Sequence, residues 1–152
     1  MHPRNHFTLT VLMASILAGY GLFSLPADMS GHYRVNDIGL EDQEVRVFTD
    51  CFRLDMKTTE QQISDLQNAV NHRVLPAELE IFVQENNVQR VEIKDERSGL
   101  YRAEAVTENS RIELRPTTAL MIASKASVPA YIDKGLASAY GEPICLENSS
   151  EV

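Results

Sequence analysis

Between Phe7 and Ala27 the chain carries no charged side chain. Few folds accommodate such a run. As a helix, Phe7–Leu25 rises about 28 Å, against about 30 Å for the hydrocarbon layer of a bilayer. As a buried helix of a globular domain it needs a polar face at helical period, and it has none. Arg4 lies in the short head before it, which favours an N-terminus-in orientation. A cleaved signal peptide is the alternative, with Ala27 at the cut. Leu25 then occupies a position where a small residue is usual, and the apolar run exceeds the ~7–15 residues of a signal core. Gly19 and Gly21 do not make a small-xxx-small helix-pairing pattern. The sequence therefore predicts a retained signal-anchor over residues 1–27 and an extracytoplasmic domain over 28–152.

That outer part has 152 − 27 = 125 residues, enough for one hydrophobic core without obligatory metals. Arg4 is the only charged residue left behind, so the domain carries 13 basic and 22 acidic side chains, a net −9. A surface of that sign repels phosphate backbones and argues against nucleic-acid partners. Its charges are interspersed, as on an ordinary solvated face.

Cys51 and Cys145 are the two cysteines, and neither sits in a C-x-x-C pair. In an oxidising compartment they are expected to form one disulfide. Closing so long a loop is worth about 4 kcal/mol in the chain-entropy model. Catalysis has little to build on. The outer part holds two histidines, His32 and His72, and no G-x-S-x-G, H-E-x-x-H, phosphate-binding loop or dinucleotide fingerprint. No catalytic, cofactor-binding or metal-ligating residue is assigned, and no cofactor is expected.

Residues 28–44 read as polar and turn-rich, with a short strand at His32–Val35. Glu44–Met56 reads as one extended segment covered on both faces, with Val45, Val47, Thr49 and Cys51 on one side and Phe48, Phe52, Leu54 and Met56 on the other. A helix follows, capped at Thr58 or Thr59, with Ile63, Leu66 and Val70 as its apolar stripe. His72 stands at its C-terminal end, where a cation suits the helix dipole.

Residues 79–115 are expected to form a four-strand antiparallel meander. Its strands begin with Leu79–Val83, Val91–Ile93 and Tyr101–Ala105, joined by loops at Asn86–Val88 and Asp95–Gly99. An even-length turn at Glu108-Asn109 then sets Ala105 opposite Ile112 and Ala103 opposite Leu114. Glu80, Gln84, Arg90, Glu92, Arg102, Glu104, Arg111 and Glu113 fall mostly on the outer face. Ala103 and Ala105 leave room on the inner face for a helix. Two helices are expected after Pro116: Ala119–Ala126 capped by Thr117-Thr118, and Ala130–Tyr140 entered through Pro129 and ended by Gly141 in a left-handed conformation. The fold class is thus α+β, a meander of about 4–6 strands packed by two or three helices.

Glu41-Asp42 with Glu44 lacks the spacing of a calcium loop, and Asp95-Glu96-Arg97 reads as a charged hairpin tip. Asn148-Ser149-Ser150 satisfies a glycosylation pattern. Tyr33, Tyr101, Tyr131 and Tyr140 are candidate contact residues. In layout, one N-terminal span and one compact outer domain, the chain is similar to small periplasmic partners of membrane-bound virulence regulators, of the ToxS and TcpH kind. That likeness rests on architecture and transfers no residue. It implies a non-enzymatic domain that stabilises or senses for a regulator through protein contact, held at the inner membrane and facing the periplasm. A secreted small-ligand carrier or inhibitor is the alternative, and a small hydrolase using His32 or His72 a third.

Overall fold

The computed structural model describes residues 29–145. The apolar run Phe7–Ala27 and the pattern at Asn148 lie outside those residues. Among the described residues no helix is long and apolar enough to cross a membrane. They form nine strands and four helices in an α+β arrangement.

The strands are β1 (His32–Arg34), β2 (Asp37–Glu41), β3 (Glu44–Phe48), β4 (Phe52–Lys57), β5 (Val88–Arg97), β6 (Leu100–Thr107), β7 (Arg111–Leu114), β8 (Ala130–Asp133) and β9 (Glu142–Pro143). The helices are α1 (Glu60–His72), α2 (Ala77–Glu85), α3 (Pro116–Ala126) and α4 (Lys134–Tyr140). One sheet runs β1-β8-β5-β6-β7, the other β2-β3-β4-β9. Every pairing is antiparallel except β5 with β8, which is parallel and is reached through α3.

The segment expected as one strand over Glu44–Met56 is a hairpin. Thr49 makes the turn: its amide donates to the Phe52 carbonyl at 2.8 Å, and its Oγ1 accepts from the Phe52 amide at 3.0 Å. Because Val45 pairs with Met56 and Val47 with Leu54, odd residues of β3 and even residues of β4 share one face. Opposite parity along the sequence looked like two covered faces. The turn folds both sets onto a single buried one, where Val45, Val47, Leu54 and Met56 are all at most 2% exposed. The preceding segment, expected as loop, contributes β2, whose Ile38 and Leu40 pair with Val47 and Val45. Asp42 takes the positive φ of 35° that the two-residue turn between β2 and β3 requires.

Helix α1 follows the expected design. Thr59 is its N-cap and accepts from the Gln62 amide at 3.2 Å, and His72 stands in its last turn. Its buried residues are Leu66 and Ala69, while Val70 remains 45% exposed. The expected strand at Leu79–Val83 is instead helix α2. Pro76 precedes it, and Glu78 and Glu80 complement the positive end of the dipole. The alternation of Leu79, Ile81 and Val83 suggested a strand. The side chains that pack on the core are Leu79, Phe82 and Val83, at i, i+3 and i+4, whereas Ile81 is 54% exposed.

The meander therefore has three strands. Its last turn has the expected register, with Ala103 opposite Leu114 and Ala105 opposite Ile112. The turn between β5 and β6 is shorter than expected: Ser98 and Gly99, at φ 53° and 82°, join Arg97 to Leu100. Such a turn alone would set the strands off by one residue. A bulge at Lys94 restores the parity, so Ile93 faces Ala103 and Val91 faces Ala105.

Helix α3 begins one turn earlier than expected, with Pro116 at its first position and Thr117 buried. Ala119 to Ala123 are all buried. It packs on β5 and β6, filling the space over Ala103 and Ala105, and on α1 from its other side. The segment after Pro129 starts as strand β8, then becomes helix α4, capped by Asp133 accepting from the Leu136 amide at 3.0 Å. Gly141 ends α4 at φ −80°, so its role is space rather than handedness: a Cβ there would stand 2.4 Å from the Ala137 carbonyl oxygen. Cys51 and Cys145 are paired in a disulfide-compatible geometry, with Cα atoms 4.6 Å apart. The pair joins the C-terminal segment to the start of β4.

Gly141→Ala is expected to cost about 1–3 kcal/mol, since backbone must shift to admit the methyl group. Urea denaturation monitored by circular dichroism measures it, and an unchanged midpoint contradicts the close approach.

Candidate functional site

The described residues form an open cleft of about 380 Å³. One wall is the chain passing from β1 to β2, Arg34 through Ile38. The other is the C-terminal half of α3 and the turn after it, from Leu120 to Ala130, with Val70 of α1 closing one side.

Each wall is fixed by backbone bonds. The Val35 amide donates to the Ala130 carbonyl at 2.9 Å, in the five-stranded sheet. The next amide, Asn36, donates to the Phe48 carbonyl at 2.8 Å, in the four-stranded sheet. On the facing wall α3 ends at Ser127 in a left-handed conformation, φ 55°, and the Val128 amide turns back to the Ala123 carbonyl at 3.1 Å. Ser124 Oγ donates to the Ala69 carbonyl at 3.1 Å and Lys125 Nζ to the Arg73 carbonyl at 2.6 Å, which ties α3 to α1. The floor is apolar, from Leu120, Ala123, Val35 and Val128. Exposed Arg34 and Asp37 supply one charge of each sign at the rim.

The cleft provides shape and apolar contact, with no convergent set of acid, base and nucleophile. His32 lies on edge strand β1 and His72 at the exposed end of α1, so the two histidines belong to separate elements and neither lines the cleft. Among the described residues no group of three His, Cys, Asp or Glu side chains is arranged to hold a metal ion.

Glu41 and Glu44, which flank the β2–β3 turn, are engaged within the fold. Arg46 meets Glu41 and Glu44, each at 3.0 Å. Asp95, at the hairpin expected to be freely solvated, is gripped by Arg102, and this guanidinium holds its carboxyl below the ordinary aspartate range. Tyr33, Tyr101 and Tyr140 are also partly committed. Tyr33 packs on Phe52 with ring centres 5.3 Å apart, under Lys134 Nζ at 5.1 Å, and Tyr101 meets Tyr140 edge-on at 6.1 Å.

Glu92, expected on a solvated outer face, is 2% exposed. It lies on β5, flanked in the sheet by Glu104 of β6 and Tyr131 of β8. Arg90 and Arg111 each approach its carboxylate to 2.9 Å, and Arg111 also reaches Glu104 at 3.1 Å. Burial pushes the Glu92 carboxyl up, but the hydrogen bonds and charges of the two arginines outweigh it and leave the group below its usual value. The Arg-x-Glu spacing of residues 90–92 was visible in the sequence. The parallel neighbour β8, which makes β5 an interior strand, was not.

No protein-family model matches this chain, and no curated protein matches it.

Glu92→Ala leaves two arginines facing a gap, and the expected loss is about 1–3 kcal/mol, moderated because Arg111 is half exposed. A depressed folded-state pKa contributes stability that is present above the unfolded glutamate value of about 4.3 and is lost as pH falls through the folded one. Unfolding free energies of the wild type should therefore drop below about pH 4 more steeply than those of Glu92→Gln. Parallel curves would contradict the assignment.

Proposed function

We propose that this protein is a non-enzymatic extracytoplasmic binding domain, anchored at the inner membrane by Phe7–Ala27, that acts by docking a segment of another protein. The observation that carries the proposal is the cleft beside α3: preformed, apolar along its floor, and rimmed by Arg34 and Asp37. Protein segments bind such surfaces by placing side chains on an apolar floor while polar rims set direction. The net −9 of the outer part weighs against nucleic acid. In this reading the bilayer is engaged only through the N-terminal helix, and the partner is a membrane-bound regulator or another envelope component.

A small-ligand carrier is the second reading, favoured by one observation: about 380 Å³ falls within the range of small-molecule sites. Such sites enclose most of their ligand, whereas this cleft is open to solvent along its length, which suits an extended or helical segment better.

Placing a photo-crosslinking amino acid at Val70, half exposed at the cleft, tests the proposal in cells. The same residue at Leu100, 72% exposed at the β5–β6 turn, is the control. A discrete protein adduct at Val70, absent at Leu100 and lost on adding Ser127→Arg, is the expected result. Equal labelling at both positions would contradict docking in the cleft. The anchor has its own test. Intact mass of the purified protein should include residues 1–27, and a species beginning at Asp28 would replace the anchor with a cleaved signal.

A further inference from the structure

The segment Glu142–Cys145 is held to the sheet by few contacts. Strand β9 has two ladder positions, Phe52 with Pro143 and Arg53 with Glu142, and proline brings no amide hydrogen. One further backbone bond runs from the Ile144 amide to the Cys51 carbonyl at 2.9 Å. Arg53 pairs with Glu142, whose side chain is 62% exposed, and an exposed ion pair holds weakly. All four residues from Glu142 to Cys145 are exposed, so the segment buries no apolar anchor.

The chain just before it is secured separately. Leu136 and Ala137 of α4 are buried, Asp133 caps the helix, and the Gly141 amide closes it on the Ala137 carbonyl at 2.8 Å. Tyr140 leans edge-on against Tyr101 and hydrogen-bonds Glu96, which raises its hydroxyl pKa. Among the described residues firm attachment stops at Gly141, and beyond it the Cys51–Cys145 bond is the strongest tie.

We propose that the Cys51–Cys145 disulfide is a redox-operated clasp that keeps Glu142–Cys145 on the edge of β4. The co-reactant is a dithiol reductant. Its thiolate attacks the Sγ of Cys145, which lies in the exposed segment, the Cys51–Cys145 bond breaks, and Cys51 leaves as a thiolate that takes a proton. The second thiol of the reductant then displaces Cys145 from the mixed disulfide. Two protein thiols and one oxidised reductant result, a balanced two-electron exchange. With the clasp open, the segment departs and the sheet ends at β4, whose six residues Phe52–Lys57 form a bare edge. Such an edge is a template for strand pairing, which the closed state covers at Phe52 and Arg53. Because α4 is secured on its own, opening stays local. This proposal does not rest on the cleft.

Hydrogen exchange with mass-spectrometric readout on the detergent-solubilised full-length protein, before and after dithiothreitol, tests it. Peptides covering Phe52–Arg53 and Ile144–Cys145 should exchange at least about tenfold faster after reduction, while those covering Val91–Ile93 and Leu120–Ala123 stay unchanged. Cys51→Ser with Cys145→Ser should reproduce the reduced pattern without reductant, and circular dichroism of that double variant verifies that it is folded. Unchanged exchange at Phe52–Arg53 and Ile144–Cys145 after reduction would overturn the clasp. So would acceleration throughout the domain, or a bond that dithiothreitol opens only once the protein is unfolded.

Discussion

Helix α3 has no polar face through Ala119–Ala123, and that constraint orders the rest of the fold. A helix of this kind has to be covered on more than one side. The five-stranded sheet covers it from one direction, where Ala103 and Ala105 admit a helix backbone close to β6. Helix α1 covers it from another, through Leu66 and Ala69 and the Ser124 bond to the Ala69 carbonyl. Each fully buried leucine or isoleucine here contributes about 1.5–3 kcal/mol, and Leu120, Ile122, Leu66 and Ile93 are all at most 1% exposed. The covered helix then dictates connectivity. The chain leaves α3 at Ser127 and returns to the sheet as β8, parallel to β5, the pairing that requires a crossover. Strand β8 in turn receives β1, and the chain from β1 to β2 bridges to the second sheet. The cleft is the space between that bridge and the end of α3.

The interior position of β5 explains the buried carboxylate opposite the core. Once β8 lies beside β5, the outward face of its middle residue loses solvent on both flanks. A glutamate there persists because two arginines supply hydrogen bonds to its oxygens. The pair geometry offsets desolvation and does not create a reactive group: the carboxylate is held in its ionised form.

Much of this was legible in sequence, where local chemistry decides. The Thr59 cap, the α1 span, the register of the β6–β7 turn and the need for a helix over Ala103 and Ala105 all follow from residue types at short spacing. The failures come from parity, which reveals neither a turn inside a segment nor a helical period in a short one. Val45–Val47 and Leu54–Met56 have opposite parity and were assigned to two faces until Thr49 folded them together. Leu79, Ile81 and Val83 mimic a strand, and only the burial of Phe82 in place of Ile81 shows the helical period. The Lys94 bulge offsets a two-residue turn, so the face assignment over Val91–Ala105 was right while the loop length was not. The cleft was invisible for a further reason: its walls come from segments almost ninety residues apart, joined by backbone bonds that carry no side-chain signature.

The cleft is built into the fold, because adjacent amides of its thinner wall are bonded into the two different sheets. Native-state hydrogen exchange of the individual Val35 and Asn36 amides tests this most directly. Both should be protected to within about tenfold of the slowest amides in β5 and α3. Exchange at the rate of an open loop, with α3 still protected, would mean that the wall is unformed without a partner and would contradict the central claim.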